Sequence, residues 1–185
     1  MREFLDQQTA ALSSLSVAKI DLLSDYIVKA SGEASNIWIA GNGGSATTAA
    51  HLATDLNKGL FLSTGRQFKA ICLNEFLGTT TAWSNDTSFD FALEGQINSI
   101  ASKGDLVIII SGSGKSKNVI NLAKAAKKLN ANVLAITGIG GGELINVVDE
   151  YLCVDSNDMQ TVENIHLIIC HAIYKNICEY FNSIR

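Results

Sequence analysis

The chain contains three histidines in 185 residues, and all three fall in helix-patterned stretches beside glycine- or serine-rich loops. His51 and Asp55 are four positions apart, so in a helix they share one face. An imidazole and a carboxylate placed this way can hold a divalent cation or pass a proton. A solvent-facing polar pair has the same spacing. Glu163 and His166, three apart, also share a face, and His171 lies eight positions beyond Glu163. That separation is a rise of about 12 Å at 1.5 Å per residue. Glu163 and His171 therefore meet at one metal only by reaching toward each other, or by coming from different subunits. His166 is the histidine best read as structural.

Two loops have the composition of anion sites. Gly41-Asn42-Gly43-Gly44-Ser45 follows the apolar run NIWIA and opens a helix, so backbone N–H groups and the helix start favour negative charge. The same residues fit the dinucleotide pattern G-x-G-x-x-A ending at Ala46. That pattern wants an acidic residue about 20 positions on, and the nearest candidate, Glu75, lies too far along. The second loop, Ser111-Gly112-Ser113-Gly114-Lys115-Ser116, offers hydroxyls and backbone amides that make a compact phosphate cradle. Its GKS ending is that of a P-loop, but Ile109 stands where the first glycine is required. A plain Ser/Gly helix-capping turn is the simpler alternative.

The elements that must position these residues follow from periodicity. Residues 2–31 read as helical in two pieces that separate near 13–16, with Ile20, Leu23, Ile27 and Ala30 at the apolar positions. Five extended runs follow, at 36–40, 69–73, 106–111, 132–137 and 151–154. Helical patterns lie between them at 46–56, 89–101, 118–129 and 143–148. A long amphipathic helix closes the chain at 160–182, with Val162, Ile165, Ile169, Ile173 and Ile177 on one stripe. Continuous apolar strands alternating with helices predict an α/β fold whose five-stranded parallel sheet is covered on both faces. Ligands in such sheets bind beyond the carboxyl ends of the strands. One domain spans 1–185, with a helical segment at 1–32 and an α/β core at 33–185.

Composition narrows the function classes. The chain is 47% apolar, ample for one core. Charged residues are 17% with a net charge of −4, so no basic field holds nucleic acid, while a locally positive site for a small anion stays open. No apolar run is long enough to span a bilayer, and the start MREFLDQQ lacks the apolar core of a signal peptide. The expectation is a soluble cytoplasmic chain with neither membrane nor nucleic acid as partner. Cys72, Cys153, Cys170 and Cys178 form no CxxC pair, which suits reduced core thiols better than a zinc knot.

In order, the segments GNGGSATTAAHLATDL (41–56), TTTAWSND (79–86), GDLVIIISGSGKSKNVINLAKAAKK (104–128), ITGIGGGELINVVDEYLCVDS (136–156) and ENIHLIICH (163–171) resemble the SIS (sugar isomerase) family, most closely its phosphoheptose isomerases. The resemblance covers nearly the whole chain. It implies the SIS fold: a three-layer αβα sandwich with N-terminal helices and a long C-terminal helix, assembled as a homotetramer with active sites between subunits. Asn42, Gly43, Gly44, Asn85 and Asp86 would line a sugar phosphate. Ser111, Gly112, Ser113 and Ser116 would hold its phosphate.

The family's metal-ligating and catalytic positions fall on His51, Asp55, Glu163 and His171, with Asp55 and Glu163 also facing substrate. One divalent metal per site is expected, Zn²⁺ above others. The implied reaction is aldose–ketose isomerisation through an enediol, of sedoheptulose 7-phosphate to D-glycero-D-manno-heptose 7-phosphate. Asp55 would move the carbon-bound proton and His171 the oxygen-bound one.

The chain departs from the family pattern at several of these positions. Asp55 replaces Glu, Glu163 replaces Gln, Met159 replaces Thr, Thr161 replaces Arg, and Asn164 replaces Glu; Phe76 and Gly78 replace an Asp and a Ser. Two histidines and two carboxylates remain a workable set for Zn²⁺, Mn²⁺ or Fe²⁺. The alternatives are a non-catalytic SIS regulator of the DnaA-binding type, a sugar-phosphate sensor, and an isomerase of a different phosphosugar.

Overall fold

The computed structural model describes residues 1–33 and 35–184. Two helices, α1 (Arg2–Ser13) and α2 (Val17–Gly32), lead into five parallel strands: β1 (Ile37–Ala40), β2 (Ala70–Cys72), β3 (Leu106–Ser111), β4 (Asn132–Thr137) and β5 (Glu150–Cys153). The break between α1 and α2 is set by Ser16, whose hydroxyl accepts the Lys19 N–H as an N-cap. The strand order is β2-β1-β3-β4-β5. In register, Ile39 pairs with Cys72 on one side and with Ile108 on the other. All six residues of β3 are buried, as a central strand covered on both faces requires.

Alternate side chains of each strand supply two cores. On one face Ile37, Ile39, Ile108, Ile110 and Ile136 pack against α2, α3 (Gly44–Thr54), α4 (Leu60–Thr64) and α8 (Met159–Ser183). On the other, Val107, Ile109, Val133 and Ala135 pack against α6 (Ala92–Ile100) and α7 (Lys117–Lys128). Full burial of each Leu or Ile stabilises by about 1.5–3 kcal/mol, so the sandwich is held by its middle layer. At the amino ends of the strands, buried Asp105 accepts from the backbone N–H groups of Asn36 (2.9 Å) and Ser102 (3.0 Å) and from Trp38 Nε1 (2.8 Å). Three donors satisfy a charge that would otherwise be costly to bury.

Several boundaries differ from the periodicity. The 151–154 strand begins one residue earlier, where Glu150 pairs with Leu134 and its carboxylate meets Lys19 Nζ at 2.7 Å. The 143–148 helix is only a 3₁₀ turn, Leu144–Asn146, and 89–101 starts as a 3₁₀ turn at Phe89–Phe91. A helix that the pattern did not predict, α5 (Leu77–Asp86), has no buried residue and therefore no apolar stripe to read. The 46–56 helix begins at Gly44 and ends at Thr54; Asp55–Gly59 then winds as a single π-helical turn before α4. Cys72 and Cys170 are buried, Cys153 and Cys178 half-buried, and all four are free thiols. No helix among the described residues is long and apolar enough to cross a membrane.

Candidate active site

In this strand order the crevice between the carboxyl ends of β1 and β3 is the switch point where an open α/β sheet binds ligands. Asn42 follows β1 and Asn118 lies in the first turn of α7, and their side-chain amides bond reciprocally at 2.9 and 2.8 Å. Asn74 brackets the neighbouring Gly41, accepting its N–H at 3.0 Å and donating to its carbonyl at 2.8 Å. The first glycine loop is thereby tied to both sides of the crevice.

Helices α3 and α8 pack against each other beside this loop. His51 Nε2 lies 3.0 Å from His171 Nε2, 3.4 Å from Asp55 Oδ2, and the second imidazole is 3.7 Å from the same carboxylate oxygen. The donor atoms of these three residues all fall within 4.8 Å of one another. Their side chains are 45%, 24% and 49% exposed for His51, Asp55 and His171, so an ion or substrate reaches them from solvent. Two imidazole nitrogens and one carboxylate oxygen converging this closely are a set that can hold a divalent ion. The i,i+4 pair His51 and Asp55 is joined at this open surface by a residue 120 positions from His51.

The fourth expected ligand lies elsewhere in the chain. Glu163 stands against Gly44, where a Cβ would come within 2.7 Å of its Oε2. Glu163 at Gly44 and His171 at His51 make α3 and α8 run in the same direction, with Glu163 two turns before the three-residue cluster. Asn85 and Asp86 end α5, exposed, with Asn85 Nδ2 donating to Asp86 Oδ1 at 3.0 Å. His166 is fully buried and neither ring nitrogen has a hydrogen-bond partner. Burial pushes its pKa down, so it is held neutral.

The second loop closes β3. Ser111 Oγ accepts the Gly114 N–H and Ser113 Oγ accepts the Lys115 N–H, each at 3.2 Å, which leaves both hydroxyl protons free to donate. Ser116 caps α7 without using its side chain. A cavity of about 190 Å³ opens over this loop, lined by Gly112, Ser113, Lys115, Ile139, Ser156, Asn157, Met159 and Val162. Sequence reasoning passed over Lys115, Ser156 and Asn157 as lining residues; only Lys115 carried a signal, in the GKS ending. Met159 covers Gly112, its Sδ 2.4 Å from where a Cβ would stand. The loop after β4 locks onto the cradle: Gly114 and Gly142 have φ near +60°, and a Cβ on Gly142 would lie 2.5 Å from the Gly114 carbonyl oxygen.

Comparison with known proteins agrees with this architecture. Residues 3–138 match the SIS domain family. A probable phosphoheptose isomerase of Thermoplasma acidophilum is 36% identical over 180 residues, covering 97% of this chain and 98% of that protein. A phosphoheptose isomerase of Campylobacter concisus is 33% identical, covering 90% and 88%. The solved structure of a phosphoheptose isomerase from Neisseria gonorrhoeae superposes with a TM-score of 0.86 at 27% identity, covering 98% of this chain and 96% of that one. In sequence, sheet order and the placing of its loops, this chain belongs to the SIS domain family.

Proposed function

We propose that the chain is an aldose–ketose isomerase of sugar phosphates, interconverting sedoheptulose 7-phosphate and D-glycero-D-manno-heptose 7-phosphate. The observation that carries this reading is the meeting of His51, Asp55 and His171 within 4.8 Å. Two relatives at 36% and 30% identity are named probable phosphoheptose isomerases.

The reaction moves a proton between two adjacent carbons and another between their oxygens, so it needs two proton carriers. Asp55 turns Oδ2 toward both imidazoles, which leaves Oδ1 to take the carbon-bound proton. His171 turns Nε2 the same way, leaving Nδ1 to carry the proton between oxygens. His51, Asp55 and His171 would hold a divalent ion, Zn²⁺ by the donor set, with Glu163 as a ligand or substrate contact. Such an ion, when bound, would supply Lewis-acid polarisation of the sugar carbonyl. Ser111, Ser113 and Ser116, with the backbone of Gly112 and the start of α7, bind the phosphate, and Lys115 adds a positive charge at the rim. Asn42, Gly43 and Gly44 line the sugar.

The same reading has the chain working in the cytoplasm as a homotetramer with sites between subunits. Exposed Phe76, Leu77, Phe89 and Phe91 around α5 support an association surface there. Asn85 and Asp86, on the same helix, would then serve a site shared between subunits.

Metal-replete protein incubated with sedoheptulose 7-phosphate and followed by NMR should produce a new aldose phosphate, and a chelator should stop it. Absence of conversion with retained thermal protection by the ligand would move the reading to another phosphosugar or to a sensor. Absence of both would make the chain a regulator.

A further inference from the structure

The first glycine loop and the first turn of α7 face each other across the crevice, joined by the amides of Asn42 and Asn118. Asn42 leaves β1 with a glycine on either side, and Gly43 has φ +52° and ψ −124°, a backbone that L side chains rarely adopt. The main chain here is fixed. Asn74 brackets Gly41, and the Asn42 carbonyl accepts the Ser45 and Ala46 N–H groups at 2.9 and 3.3 Å. None of these bonds holds the Asn42 side chain. Among the described residues its amide bonds to Asn118 alone, giving one N–H at 2.9 Å and taking another at 2.8 Å.

Asn118 is anchored where the Asn42 side chain is not. It is 2% exposed, and Val119, Ile120 and Leu122 follow it into the core. A buried amide costs stability unless it is bonded, and a leucine would fill the same volume without that demand. The bonds that satisfy Asn118 go to Asn42. A reciprocal amide pair uses one N–H and one oxygen lone pair on each partner and leaves one of each. Those of Asn118 are buried with it; Asn42 is half-buried, so its spare N–H and lone pair are the ones that a ligand in the crevice can meet. We infer that Asn118 is a positioning residue that holds the Asn42 amide at the crevice, where it meets a hydroxyl of the sugar. The sugar's part in this rests on the reading of Asn42 given above; the holding does not.

The test compares Asn118→Leu, Asn118→Ala, Asn42→Ala and the Asn42→Ala/Asn118→Leu double variant. One readout needs no ligand: NMR of the Asn42 side-chain amide, whose signals should move to those of a free asparagine in Asn118→Leu. With sedoheptulose 7-phosphate, KM should rise about 2–12-fold in Asn118→Leu and in Asn42→Ala, the worth of about one hydrogen bond between uncharged groups. A contact made equally in ground and transition state leaves kcat near wild type. Inhibition by inorganic phosphate, which has no sugar to meet Asn42, should be unchanged in both. The double variant should be no worse than Asn42→Ala alone, since Asn118 acts only through Asn42.

Asn42 amide signals that stay in place in Asn118→Leu would overturn the inference, as would additive rises of KM in the double variant. A parallel loss of phosphate inhibition would overturn it too, since Asn118 would then be a support of the serine loop. Should Asn118→Leu fail to fold, Asn118→Ala, which removes the amide and suits a helix, decides by the same readouts. Should wild type convert no sedoheptulose 7-phosphate, the proposed reaction fails, while the amide signals still decide whether Asn118 holds Asn42.

Discussion

His51 and His171 point their Nε2 atoms at each other across 3.0 Å, each from a different one of two side-by-side helices. A hydrogen bond between two imidazole nitrogens takes one donor and one acceptor, so the pair shares a single proton on this side. Asp55 Oδ2 sits within 3.4 and 3.7 Å of the same two atoms. On the proposed function these three groups carry the protons of the isomerisation and hold the cation.

Removing either proton carrier should stop the chemistry without unfolding the chain. Asp55→Asn or His171→Ala should lower kcat by about 10²–10⁴-fold, the usual worth of a placed acid or base. Both side chains are at least partly exposed, so melting temperature should barely move. Steady-state rates by NMR and thermal melts on the same samples check this; near-wild-type rates in either variant would sink the assignment.

The serine loop should act on binding. Ser113→Ala combined with Ser116→Ala should raise KM while leaving kcat close to wild type, each hydrogen bond to a charged phosphate contributing about 1.5–3 kcal/mol. Inorganic phosphate, as a competitive inhibitor, should weaken in parallel. An unchanged KM would put the phosphate in another loop.

His166 sets a limit on acid stability. Its folded-state pKa lies below the unfolded value of about 6.5 because burial disfavours the imidazolium. Above that pH both states are neutral and the residue contributes no pH dependence. As pH falls below about 6.5 the unfolded chain takes up a proton that the folded chain resists, so stability falls progressively toward the folded pKa. Melting curves from pH 7.5 to 5 should show a smaller loss in His166→Gln than in wild type; equal slopes would mean that this ring is not the source.

Much of the fold was legible because its signals are local. The β3 and β4 runs, LVIIIS and NVLAIT, coincide with strands at both ends, since a fully buried strand needs an unbroken apolar run between turn residues. Helix α5 was not legible, because a helix without a buried face leaves no periodicity. The π-turn was hidden for another reason. Asp55-Leu-Asn-Lys-Gly59 has no unusual composition, and the partners that meet it, Ala70 on Asn57 and Tyr174 on Gly59, lie elsewhere in the chain. In the site, the shared face of His51 and Asp55 followed from spacing. The arrival of His171 depended on how α8 docks, whereas the distance of Glu163 from it followed from their eight-residue spacing on one helix.

The clasp between Gly114 and Gly142 has a consequence for how this site can change over generations. A side chain on Gly142 would strike the main chain of the β3 loop, and one on Gly114 would strike the Gly141 carbonyl oxygen. Neither loop accepts a new residue at the clasp unless the other retreats in the same step. Inherited variation in substrate preference is therefore channelled away from the backbone of the cradle and onto side chains that overhang it, Met159, Lys115 and Ser156 among them. Lineages that diverge in the sugar they accept should differ first at those overhanging positions, with the paired glycines kept beneath them.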